Sequence, residues 1–139
     1  MNNDNSEIQL PDYVLVNSRL TDDPVHKQGQ VGVITAAILN TNDFYVGFAD
    51  NQVGLYSADA LLLLKPAESI YEYIREQALR LSTDDFKDLK NIALLLDHGT
   101  KKHMLTAMEL VQNNESILSA TTTPLDEFIG LNQSKRLKR

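Results

Sequence analysis

The stretch KQGQVGVITAAILNTNDFYVGFADNQVGLYSADALLLL, residues 27–64, decides the fold. Gly29 and Gly32 punctuate a turn that enters an apolar run ending at Ile38. In that run Val31 and Val33 point to one face of a strand, and Gly32, Ile34 and Ala36 to the other. Gly32 leaves a gap in its face, which suits a bend or a close neighbour. After the turn Asn40-Thr41-Asn42-Asp43, the residues Phe44, Val46 and Phe48 alternate with Tyr45, Gly47 and Ala49, so the first set faces a core and Tyr45 the outside. Asp50-Asn51-Gln52 reads as a tight reversal, because Asp and Asn tolerate left-handed backbone angles, and Val53 to Tyr56 as the returning strand. One helical turn, Ser57 to Ala60, precedes a last strand from Leu61 to Lys65. Short strands broken by polar turns predict a small, strongly curved antiparallel sheet.

Upstream, residues 1–11 are a polar lead, and Tyr13-Val14-Leu15-Val16 is the first β-prone segment. Asn17 to Gln28, with Asp22, Asp23 and Pro24, has the composition of a long excursion between strands. Downstream, Pro66 ends the strands. Ile70, Tyr73, Ile74, Ala78 and Leu81 recur at helical spacing, and Glu76 stands four residues before Arg80, an attractive pair on a helix. Ser82 or Thr83 caps a second helix with Asp84 and Asp85 in its first turn and Gly99 at its close. Thr100 caps a third helix, which Asn113-Asn114 stops. Thr123-Pro124 followed by Asp126 and Glu127 is a helix-start signal for a short last helix, with Leu125, Phe128 and Ile129 apolar and Gly130 as its stop.

The chain has 139 residues, 42% of them hydrophobic and 23% charged, enough for one ordinary domain with two halves. It has no cysteine, which excludes disulfides, thiolate metal sites and cysteine nucleophiles and fits a reducing compartment. Met1 to Ser6 lack the basic head and apolar centre of an export signal, and the longest apolar run, Ala60 to Leu64, is far short of the roughly 20 residues that span a bilayer. These features predict a cytoplasmic chain with no membrane association. Residues 1–134 hold nineteen acids against nine bases, whereas Lys135, Arg136, Lys138 and Arg139 form a basic tail. An acidic body repels phosphate backbones, so nucleic acid is disfavoured as a partner except through that tail.

Five short strands over residues 12–66, with a long first loop and a single helical turn before the fifth, resemble the SH3-like barrel. Within them Gly29-Gln30-Val31-Gly32-Val33-Ile34 is similar to the core of the KOW motif, a glycine, two residues, a second glycine, one residue and an aliphatic. The stretch before Gly29 is acidic where KOW modules are often basic. The expected fold is therefore α+β: a five-stranded SH3-like barrel at 12–66, three or four helices packed on it at 67–134, and the tail at 135–139. The resemblance implies either protein and peptide binding or, through the KOW likeness, association with RNA or ribosomes.

Tyr13, Tyr45 and Tyr56 are the candidate partner-binding residues, since exposed aromatics on such barrels hold peptides, methylated side chains or bases. Covering by the C-terminal helices is the structural reading of the same tyrosines. His98 and His103, with Asp97, are the residues that could converge on a metal, against a simpler role at a helix junction; His26 beside Asp22 and Asp23 reads as turn chemistry. Ser57 with Asp59 lacks the histidine of a triad and reads as a turn cap. Gly29 and Gly32 lack the lysine of a phosphate loop. No catalytic constellation, metal or cofactor is expected. The favoured expectation is a non-enzymatic adaptor that binds a protein partner, the rival is an RNA- or ribosome-associated factor using the barrel and Lys135 to Arg139, and the apolar helical faces also allow pairing with a second copy.

Overall fold

A computed structural model describes residues 10–130. Six strands form one sheet: β1 (Tyr13–Val16), β2 (Val31–Ile38), β3 (Asp43–Gly47), β4 (Val53–Tyr56), β5 (Leu61–Leu64) and β6 (Thr122–Pro124). Their order is β4-β3-β2-β1-β5-β6, with the pairs β1–β2, β1–β5, β2–β3 and β3–β4 antiparallel.

This order corrects the expected barrel: the sheet is open. Closure would require its outermost strands to bond to each other, whereas β4 forms one edge and β6 the other. Thr122–Pro124, of which Thr123 and Pro124 were expected to start a helix, is a strand and occupies the edge of β5 across which a cylinder would close. The sheet is nonetheless curved. β4 and β5 stand four places apart in the order, about 19 Å across a flat sheet at roughly 4.8 Å per strand. Only Ser57 to Ala60 joins them, and Ala58–Ala60 is a 3-10 turn rising only about 2 Å per residue, so the link reaches across only if the sheet coils.

A bulge in β2 shares in that coiling, since the pairing with β3 shifts between Ile34 and Ala36. The expected strict alternation breaks there: Ile34 and Ala37 pack against the core, whereas Ala36 is exposed. At Gly32 the gap in the strand is filled from the next strands, because an added Cβ would lie 2.8 Å from Phe48 Cε1 and closer still to Val46 Cγ1. The β3–β4 hairpin turns through a three-residue loop. Phe48 C=O accepts from Asn51 N–H, Asn51 is left-handed at φ 71°, and Phe48 N–H donates to Gln52 C=O at 2.9 Å.

The described chain divides into two compact units, residues 10–63 with 123–130, and residues 64–122. The core of the first is built from Val14, Val16, Phe44, Val46, Phe48, Tyr56, Leu61 and Leu63 of the sheet region. Residues 125–130 are helical and insert Leu125 and Ile129 into that core. Gly130, expected to stop this helix, is itself helical.

The second unit contains α1 (Ala67–Gln77), α2 (Thr83–His98), α3 (Lys101–Gln112) and the single turn α4 (Leu118–Thr121). Its caps follow the sequence signals: Ser82 accepts from Asp85 N–H, Thr100 from His103 N–H, and Gly99 closes α2 at φ 74°. Ile70, Leu89, Ile92, Ala93, Met108, Val111 and Ile117 form the buried interior. α1 ends at Gln77 rather than near Leu81, which removes Arg80 from the helix and from the expected pairing with Glu76. No helix among the described residues is long and apolar enough to cross a membrane.

Candidate functional site

Strand alternation divides the sheet into an inward face, carrying the core, and an outward one. The register aligns two rows on the outward face: Val53, Gly47, Val33 and Tyr13 in one, Leu55, Tyr45 and Ala36 in the other. Val53 and Leu55 are each 53% exposed and Val33 is 40% exposed, with Ile38 also open at the end of β2. Tyr13 and Tyr45 are half-buried among them. Thr35, at the bulge, donates its hydroxyl to Tyr45 C=O at 3.2 Å and lies over Gly47. Towards β1 and β5 the same face is closed, since Leu15 and Leu62 are buried. The open apolar area is therefore confined to β2, β3 and β4.

Tyr56 does not join Tyr13 and Tyr45. The register pairs it with Phe44, and directly paired residues share a face, so it points into the core. Gly54 makes that orientation possible: the Tyr56 ring leans back along the strand, and a Cβ at Gly54 would overlap it at 2.6 to 2.8 Å. The hydroxyl reaches Asp23 in the long β1–β2 loop, donating to Oδ2 at 2.8 Å. Asp23, 4% exposed, also accepts from Val25 N–H at 3.1 Å and Lys27 N–H at 2.9 Å. Burial alone would raise its pKa, but the Lys27 N–H, the Tyr56 hydroxyl, the Val25 N–H and the nearby His26 together hold the carboxyl below its ordinary value. Burial, reinforced by Asp23, pushes the Tyr56 hydroxyl well above its usual range. Lys27 pairs with Asp50 and sits 5.6 Å over the Phe48 ring, a second tie between loop and hairpin. This arrangement is a strut for the loop. The composition Asp-Asp-Pro signalled a turn; what sequence reasoning missed is that Asp23 anchors it, and Gly54 two residues before Tyr56 was the available signal.

The remaining candidates separate as follows. The rings of His98 and His103 stack at 4.7 Å, but Asp97 accepts from the Tyr71 hydroxyl at 3.0 Å, and no group of three metal-ligating side chains exists among the described residues. His26 is exposed and left-handed at φ 56° within the loop turn. Ser57 precedes the 3-10 turn without capping it, donating its hydroxyl to Asp59 instead. Both line a shallow cleft of about 260 Å³ with Asn17, Arg19 and Thr21. Gly29 adopts φ 77° in the turn before β2, where its N–H donates to Val16 C=O at 2.8 Å. In the second unit Asp85 accepts from Asn114 and from the Ser116 hydroxyl, and these bonds, the one from Asn114 foremost, lower its pKa and tie the start of α2 to the segment after α3. Lys135, Arg136, Lys138 and Arg139 lie outside the described residues.

The first unit carries eight carboxylates against Arg19 and Lys27 in its described residues, an acidic excess. Neither a scan against protein-family models nor searches of curated proteins and of solved structures finds a match to this chain.

Proposed function

We propose that this chain is a non-enzymatic cytoplasmic interaction module that binds a protein partner on the outward face of the sheet. The observation that supports this reading is the cluster of Val33, Val53 and Leu55, three large aliphatic side chains left 40 to 53% exposed on the two strands that flank β3, with Gly47 and Tyr45 of β3 between them. Isolated exposed aliphatics are ordinary, whereas a contiguous apolar patch is a feature of interaction sites. Tyr45 within the patch and Tyr13 at its margin supply amphipathic rings of the kind enriched at interfaces. The RNA-associated alternative draws on Lys135 to Arg139 and on the Gly29 to Ile34 hexapeptide, but the excess of carboxylates in the described residues opposes it. Both glycines of that hexapeptide have local explanations, a left-handed turn at Gly29 and close packing at Gly32.

The test is photo-crosslinking in cells of the natural host with benzoylphenylalanine in place of Leu55, compared with the same group in place of Lys90 on α2. The expected result is a discrete protein adduct at position 55 alone, suppressed by excess unlabelled chain but not by the Val33→Lys chain. Equal labelling at both positions, or none at 55, would remove the face as a binding site.

A further inference from the structure

The edge of the open sheet adjoins the same face, and its backbone is oriented for pairing. In an antiparallel ladder, pairs that exchange hydrogen bonds alternate with pairs that do not. The bond from Phe48 N–H to Gln52 C=O sets the phase of the β3–β4 ladder. With the register Val46↔Gly54 and Phe44↔Tyr56 as the bonded pairs, Val53 and Leu55 fall between them. Their N–H and C=O groups are therefore directed away from β3, out of the edge of the sheet. β4 is an edge strand, and among the described residues no backbone bond is recorded on that side.

We infer that β4 accepts an extended segment of a partner protein as an added strand, with apolar residues alternating with lysine or arginine. This rests on the reading of the outward face as an interaction surface and names what docks there. Strand addition takes its affinity from main-chain bonds and its selectivity from alternate side chains. Bonded partners in an antiparallel pair share a face, so the incoming residues that bond Val53 and Leu55 lay their side chains on the outward, apolar side. The intervening residues turn to the other side. Their charge is set by the unit they meet: among its described residues eight carboxylates stand against two cations, and with Lys27 and Asp50 paired, seven against Arg19. Asp59 in the 3-10 turn and exposed Asp22, next to the Asp23 that holds Tyr56, are acidic groups at the Tyr56 end of the edge, while Asp50 at the hairpin end is already paired with Lys27. Pairing of β4 with a second copy would bring two such acidic units together over four residues each, a contact well below the roughly 1,200 Å² of a stable interface.

The test titrates the isotope-labelled full chain with the peptide acetyl-(Lys-Val)4-amide and follows amide shifts and hydrogen exchange. Expected are saturable shifts centred on Val53 and Leu55 with slowed exchange of those two amides. Affinity should fall at least tenfold for the same peptide N-methylated at its valines, for acetyl-(Glu-Val)4-amide, and for the Leu55→Lys chain. The modified peptides leave the protein unaltered, so the result does not depend on how that variant folds. Binding indifferent to N-methylation, shifts centred elsewhere, or no binding would overturn strand addition. Self-association in sedimentation that the peptide reverses would overturn it in favour of a second copy. Failure of the broader reading is registered separately, by absence of the adduct at position 55.

Discussion

Replacing Tyr56 with phenylalanine removes one oxygen atom and tests how the long loop is held to the sheet. The ring stays in its place over Gly54, while Asp23 loses the donor at 2.8 Å and keeps the N–H groups of Val25 and Lys27. A hydrogen bond to a buried charged group contributes about 1.5–3 kcal/mol, and with two donors remaining a loss of about 2 kcal/mol is expected. For 139 residues melting in one step, at about 2.1 cal/mol/K per residue, this lowers Tm by about 7 °C. The pH dependence supplies the sharper test. Since the folded-state pKa of Asp23 lies below its unfolded value, its contribution is fully present above the unfolded pKa of about 3.9 and is lost as pH falls through the folded value. Loss of the Tyr56 hydroxyl moves the folded pKa back up, so the stability gap between the two proteins is widest near neutrality and closes below about pH 4. Because the Tyr56 hydroxyl is itself shifted upward, the gap persists into the alkaline range. Urea unfolding followed by circular dichroism at several pH values measures it. A difference below about 0.3 kcal/mol at pH 7, or a gap unchanged down to pH 2.5, would refute the account of the strut.

Two further substitutions probe the core. Gly32→Ala should cost about 2–3 kcal/mol in urea unfolding, because the new methyl collides with Val46 and Phe48, both buried. Gly130→Ala is its control: nothing lies within 4 Å of the added methyl, so no loss, and up to about 1 kcal/mol of gain, is expected for this helical residue. Leu125→Ala removes a fully buried side chain from the core of the first unit and should destabilise it by about 2–5 kcal/mol, read as faster hydrogen exchange at Val14 and Val46.

Local chemistry was legible wherever one residue and its near neighbours suffice. Alternation over Phe44 to Phe48, the left-handed Asn51, the Ser82 and Thr100 caps and the Gly99 stop each depend on interactions spanning a few residues, and each stands where the sequence put it. Tyr45 was assigned to the outward face by the same periodicity and lies there. Tyr56 was assigned there too but points into the core, because its face follows from the register of β3 and β4, and register is set by the turn between the strands.

The sequence by itself determined the strands of the middle segment, the helices α2 and α3 with their caps, and the acidic character of the body, because backbone propensity and charge act locally. Only the tertiary structure decided that the sheet stays open, that Thr122 to Pro124 adds a sixth strand, that Leu125 and Ile129 belong to the core of the first unit, and that Asp23 meets Tyr56. Each of those joins residues more than 30 positions apart, or settles which edge a short segment completes. Such choices are made by the summed packing of surfaces from distant parts of the chain, for which no single stretch carries a signal.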